Sequence, residues 1–232
     1  GMSVDLDLPL DEGAAVFAAA ENVPRETILA LSRYAELLRE WQGRMNLVGP
    51  STLPHIWTRH FADSAQLLPL AGTGRTWLDI GAGGGFPGLV LAIMDPTARF
   101  TLVESIAKKC RFLEAVRDEL GLTDRVTIAN RRVETLPRQT FDVITARALA
   151  SLEQLFAWGL PFAGSGTTWL LPKGMRVQEE LASAAQQFHF DHTLIPSRTD
   201  DDARIVVARG VKPVADDKPI KRRVLNNRRN RR

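Results

Sequence analysis

Trp77-Leu78-Asp79-Ile80-Gly81-Ala82-Gly83-Gly84-Gly85-Phe86-Pro87-Gly88 decides how the rest of the chain is read. The apolar residues around Asp79 read as the end of a buried strand. Four glycines follow within five positions, and then the apolar run Leu89-Val90-Leu91-Ala92-Ile93-Met94 reads as a helix. Strand, glycine turn and helix form the opening of a nucleotide-binding α/β unit. Glycine is needed where the backbone turns sharply and a ligand comes close. The helix start then offers unpaired N–H groups beside that ligand.

Two spacings overlap in this stretch. Gly83, Gly85 and Gly88 satisfy G-x-G-x-x-G, the dinucleotide fingerprint that serves NAD. Asp79, Gly81, Gly83 and Gly85 satisfy D-x-G-x-G-x-G, the pattern of enzymes using S-adenosylmethionine (SAM). Asp79 favours the second. A carboxylate there attracts the cofactor's ammonium, directly or through water, whereas it repels a pyrophosphate.

Outward from the loop, the chain reads as alternating strands and helices. Arg99–Glu104 is the second strand and Lys108–Leu120 a helix stopped by Gly121. Val126–Ala129 and Phe141–Ala146 are the third and fourth strands, and Ser151–Trp158 is helical. Thr167–Leu171 is the fifth strand, and a helix covers about 176–187. Phe190–Ile195 and Arg204–Ala208 make a closing hairpin. Repeated βα units imply a parallel sheet with helices on both faces, here closed by an antiparallel strand. Before the sheet, Asp11 caps a helix ending near Glu21. Ile28, Leu31, Ala35, Leu38 and Trp41 recur at helical spacing, and Ser51 or Thr52 opens a further helix through Leu68. About 60 residues alone make a marginal core, so this region is read as a helical cap on the sheet. The expected layout is a cap at 1–75, a core at 76–211 and a basic, disordered tail at 212–232.

Charge is divided unevenly. From Lys218 to Arg232 there are eight Lys or Arg and no acid, so the formal charge of +3 becomes −5 once those eight are set aside. A mildly acidic body with a basic arm suits a polyanion such as RNA. Cys110 is the only cysteine, which excludes an internal disulfide. No apolar run reaches the ~20 residues of a membrane span, and the N-terminus lacks the pattern of a signal peptide. A cytoplasmic protein with no membrane partner is expected. No Cys and His set has metal spacing, so no metal site is expected.

Ligands in open α/β sheets lie beyond the carboxyl ends of the strands. Glu104 ends the second strand, 23 residues after Gly81, where an acid binds ribose hydroxyls. After the third strand, Val133 is placed to cover an adenine face, and backbone groups of Val133 and Glu134 to meet its edge. Arg131 and Arg132 flank them. Arg147 follows the fourth strand and Lys173 the fifth, two cations on one rim that suit a polynucleotide. His55 and His60 lie in the cap with Arg59, where a histidine is more often structural than catalytic.

Taken together, Trp77–Met94, Glu104–Leu113, Phe141–Ser151 and Leu171–Gly174 resemble the bacterial GidB family, rRNA small subunit methyltransferase G. So do Trp41, Asn46-Leu47 and Arg59-His60-Phe61-Ala62-Asp63-Ser64. The likeness spans roughly 36–211. It implies a Rossmann-like SAM-dependent methyltransferase that modifies guanine N7 in the 530 loop of 16S ribosomal RNA, alone or in the small ribosomal subunit. It also implies cofactor contacts at Gly81, Phe86, Val133, Glu134 and Arg147, with Glu104 at the ribose position. Asp79 and Gly83 join them through the glycine pattern. His60, Arg132 and Lys173 are the expected RNA-facing cations, and Arg147 and Lys173 the expected catalytic positions. Phe86 stands where the family is often aliphatic. A monomer is expected. The rival readings are an NAD-dependent oxidoreductase and a non-enzymatic RNA-binding module.

Overall fold

A computed structural model describes residues 12–147 and 150–214. Asp11 and the tail beyond Val214 lie outside the described residues. Helix α1 (Glu12–Glu21) leads into α2 (Arg25–Gln42). Pro24 stands just before α2, where a missing N–H costs no helical bond. Ile28, Leu31, Ala35 and Leu38 fall on one buried face, and each buried Leu stabilises the fold by about 1.5–3 kcal/mol.

The continuous helix expected from Ser51 through Leu68 is instead broken into pieces. A 3₁₀ turn (Leu53–His55) is followed by a π-helical stretch (Trp57–Ala62), the short α3 (Asp63–Ala65) and a second 3₁₀ turn (Leu68–Ala71). Pro54 and Pro69 stand near the start of the two 3₁₀ turns. The wider π turn buries Trp57, His60 and Phe61 together, and such turns recur at functional sites.

From Thr76 onward the alternation is as expected. The elements are β1 (Thr76–Ile80), α4 (Gly88–Met94), β2 (Arg99–Glu104), α5 (Ala107–Glu119) and β3 (Val126–Asn130). Then come β4 (Val143–Thr145), α6 (Leu152–Gly159), β5 (Thr168–Lys173), α7 (Val177–Ala185), β6 (Phe188–Pro196) and β7 (Arg204–Pro213). Ser151 caps α6 by accepting the Gln154 N–H at 3.2 Å. Strand β4 is shorter than its apolar run. Strand β7 is longer and continues past Val211, the expected end of the core.

The seven strands lie in the order β3-β2-β1-β4-β5-β7-β6. The first five are mutually parallel, and β7 runs antiparallel between β5 and β6. Successive residues of β1 face opposite layers: Trp77 joins the layer with α2, α4 and α5, and Leu78 the layer with α6 and α7. The chain winds outward from β1 to β3 and then returns to place β4 on the other side of β1. That reversal opens a crevice at the carboxyl ends of β1 and β4, where the glycine loop lies. No helix among the described residues is long and apolar enough to cross a membrane.

Candidate active site

The loop after β1 is built by its glycines and held by two acids. Gly81, Gly83 and Gly85 have φ of +72°, +54° and +95°, which side chains resist. A Cβ on Gly88 would lie 2.6 Å from Asp79 Oδ2, so only glycine lets helix α4 start that close to β1. The N–H of Gly88 donates to Asp79 Oδ2 at 3.0 Å. The N–H of Gly83 donates to Glu104 Oε1 at 2.9 Å, and the N–H of Ile106 to Glu104 Oε2 at 2.9 Å. Tyr34 of α2 donates its hydroxyl to the Gly84 carbonyl. The cap therefore grips the loop directly.

Glu104 also faces a cleft of about 140 Å³ at the ends of β1, β2 and β3, lined by Gly81, Arg132, Val133, Glu134 and Trp158 among others. This brings together four expected cofactor residues: Gly81, Glu104, Val133 and Glu134. A Cβ on Gly81 would meet nothing within 4 Å, so the cleft wall there is open. Each Glu104 oxygen accepts one hydrogen bond and keeps a lone pair for a hydroxyl. Val133 is nearly buried and Trp158 half-buried, which offers apolar surface to a flat ring. These groups fit an adenosine.

Asp79 and Phe86 line neither this cleft nor the polar cavity beside it. Asp79 lies beneath the loop, fully buried. Its Oδ1 has no hydrogen-bond partner in the structure. Burial pushes its pKa up to about 8, against the opposing pull of the Gly88 N–H and Arg147. Its Oδ2 is taken up by the bond to the start of α4. Phe86 turns into the core, stacked on Tyr34 with centroids 5.5 Å apart and on His60 at 4.7 Å.

On the far side of Phe86 lies a polar cavity of about 150 Å³, lined by Thr52, Arg59, His60, Asp63, Arg147 and Thr199 among others. The Arg147 guanidinium sits over Phe86, its carbon 5.7 Å from the ring centroid. Its Nη2 is 3.6 Å from Asp63 Oδ2, and its Nη1 is buried without a partner. The two cavities thus flank the glycine loop, one towards β3 and one towards the cap.

Two expected cations have other roles. His60 is nearly buried, with Nε2 2.8 Å from Thr52 Oγ1. Burial, aided by Arg147 and Arg59, lowers its pKa to about 4. It is a neutral ring at physiological pH, not a phosphate-binding cation. Lys173 is 8% exposed. Its ammonium donates to the Ala150 carbonyl at 2.6 Å and pairs with Glu180 at 2.9 Å, and Glu180 in turn accepts the Leu152 N–H. Lys173 secures the start of α6, since a buried cation needs such partners. Arg132 is exposed beside the cleft at the ends of β1, β2 and β3.

A family model described as rRNA small subunit methyltransferase G matches residues 27–206. The chain belongs to this family. The ribosomal RNA small subunit methyltransferase G of Rhizorhabdus wittichii is 44% identical over 83% of this chain and 89% of its own length. That of Methylobacterium radiotolerans is 48% identical over 84% and 94%. Among solved structures, mitomycin 7-O-methyltransferase MmcR aligns with a TM-score of 0.55 at 14% identity, over 88% of this chain and 74% of its own. M. jannaschii TYW2 in complex with AdoMet aligns at 0.51 and 12% identity, over 66% and 77%. These likenesses show the methyltransferase fold. A larger groove of about 540 Å³ is lined only by residues between Glu12 and Ala62 and includes none of the glycine loop.

Sequence reading passed over Tyr34, Trp158 and Thr199. Trp158 left a weak signal: it is a large aromatic outside the set Leu152, Leu155, Phe156 and Gly159 that α6 buries. Tyr34 and Thr199 act across long stretches of chain and left none.

Proposed function

We propose that this member of the rRNA small subunit methyltransferase G family transfers a methyl group from SAM to N7 of a guanine in the 530 loop of 16S ribosomal RNA. It does so in the cytoplasm and as a monomer. The observation that carries the reading is Glu104. One buried carboxylate fixes the backbone of the glycine loop at Gly83 and of the turn after β2 at Ile106 while facing a cleft of adenosine character. An NAD enzyme would need room for a diphosphate at this loop, where two buried acids lie close to the backbone.

SAM supplies an electrophilic methyl group when bound. Gly81, Glu104, Val133, Glu134 and Trp158 would hold its adenosine half. Arg147 stands on the substrate side of Phe86. Guanine N7 carries a free lone pair, so the protein needs no base to prepare it, and the neutral His60 fits that requirement. Alignment of the two reacting atoms accounts for about 7–11 kcal/mol of the barrier. The cap supports the loop from one side, while Arg132 and the basic tail add phosphate contacts.

Labelled-methyl transfer tests this. Purified protein with radiolabelled SAM should label 16S rRNA or small subunits at one 530-loop guanine, located by strand scission specific for N7-methylguanine. SAM binding without RNA labelling would overturn the substrate, and NADH binding in place of SAM would overturn the chemistry. Light scattering that gives twice the chain mass would overturn the monomer.

A further inference from the structure

The polar cavity beyond Phe86 has the donor–acceptor order of a guanine reader. Asp63 is held rigidly, because its Oδ1 accepts the Thr199 hydroxyl at 2.7 Å and the Gln66 amide at 3.1 Å. Its Oδ2 faces Arg147 at 3.6 Å, longer than a good hydrogen bond. The Arg147 Nη1 is buried without a partner. An acceptor and a donor thus stand side by side with unspent capacity. The space they line, about 150 Å³, is that of about five waters of liquid volume. That is the scale of a single planar base. His60 on its wall stacks on Phe86, with ring centroids 4.7 Å apart.

We propose that Asp63 and Arg147 together read the target base, Asp63 accepting the guanine N1–H and Arg147 donating to O6, so that the adjacent N7 is left free to face the methyl donor. This rests on the guanine-methylating function proposed above. Adenine presents the reverse order, an amino donor where Arg147 needs an acceptor and a lone pair at N1 where Asp63 needs a donor. Both contacts would then be repulsive, and a site built for one hydrogen-bonding order rejects the other strongly. Pyrimidines offer no N7 at all.

Asp63 also acts on the rate. In the transfer, the N7 lone pair forms the new carbon–nitrogen bond as the methyl carbon's bond to sulfur breaks, its electron pair staying on sulfur. No proton leaves, and the positive charge passes to the purine. The charged purine has a more acidic N1–H, so the bond to Asp63 strengthens as the reaction proceeds. An interaction stronger in the transition state than in the bound substrate raises kcat. The carboxylate also offsets the charge of Arg147, which would otherwise oppose a cationic product.

The test uses the full chain with small subunits and 16S rRNA. Asp63→Asn removes the charge and keeps the shape. It should lower kcat on the order of 10²–10³-fold, as loss of one transition-state contact does, with the SAM dissociation constant changed less than twofold by calorimetry. Wild-type kcat in Asp63→Asn would overturn the proposal. A readout independent of folding comes from the wild-type enzyme on RNA whose target guanine is replaced. Inosine, which keeps N1–H and O6, should be methylated. The base 2-aminopurine, which has neither, should be rejected by at least about 10²-fold. Equal methylation of both would overturn the proposal. If the wild-type enzyme fails to label even the guanine substrate, the function fails rather than the reader.

Discussion

Replacing Asp79 by Asn separates the fold's tolerance of a buried acid from its need for the acid's shape. Asp79 is fully enclosed, its ordinary pKa of 3.8 pushed up to about 8 by burial. In the unfolded chain it ionises near 4. Between about pH 4 and 8 the unfolded state has therefore lost a proton that the folded state keeps. Stability falls as pH rises across that window, by about 1.4 kcal/mol per pH unit, or about 2.7 kcal/mol from pH 5 to pH 7. Above about pH 8 both states are ionised and the loss stops growing. Asn at this position still accepts the Gly88 N–H but does not titrate. Urea unfolding of both proteins at pH 5, 6, 7 and 8 gives the difference directly, since every other acid is shared. The Asp79→Asn chain should gain on the wild type steadily across the series. Parallel stability curves would refute the reasoning and show Asp79 ionised in the fold.

Tyr34→Phe strips the Gly84 carbonyl of its hydroxyl partner. It should cost about 1–3 kcal/mol and weaken SAM binding; an unchanged melting temperature would show that the bond contributes nothing. Trp158→Ala should raise the SAM dissociation constant about tenfold, the loss of one aromatic contact of about 1–1.5 kcal/mol, and calorimetry at constant RNA-free conditions reads it. Deleting residues 218–232 should flatten the log–log salt dependence of RNA binding by about 3–4, if about five of the eight cations meet single-stranded phosphates. An identical slope would leave the tail without a role in binding. Arg147→Ala should abolish methyl transfer while the chain still unfolds cooperatively at a similar temperature, and retained turnover would remove Arg147 from the site.

The sheet was legible because its signals are local. Strand β2 is read to the residue, since its apolar run ends in the acid that the loop needs. Helix α5 stops at Gly121, whose φ is +69°. The gathering of Gly81, Glu104, Val133 and Glu134 around one cleft was legible for the same reason, since each stands at or just beyond the end of a strand. The polar cavity was not. Asp63 and Thr199 meet across 136 positions of chain, and no periodicity records such a meeting. The break between 53 and 71 was hidden because its apolar residues suit a helix, while the π turn is decided by what Trp57, His60 and Phe61 pack against. His60 reads as an RNA-facing cation from its type. Its neutrality comes from burial and from two arginines, Arg59 in its own segment and Arg147 beyond β4. Lys173 reads as a free rim cation, yet Glu180 one helix later claims it.

Tyr34 belongs to a helix that the chain completes well before β1, yet its hydroxyl ends on the backbone of the loop after β1. A truncated protein begun at Thr76 would retain all seven strands and all the sequence fingerprints of a methyl donor site. It would lack one of the walls against which the turn is pressed. Transplanting that turn into a foreign sheet would likewise carry over the letters of the motif without the brace that shapes it.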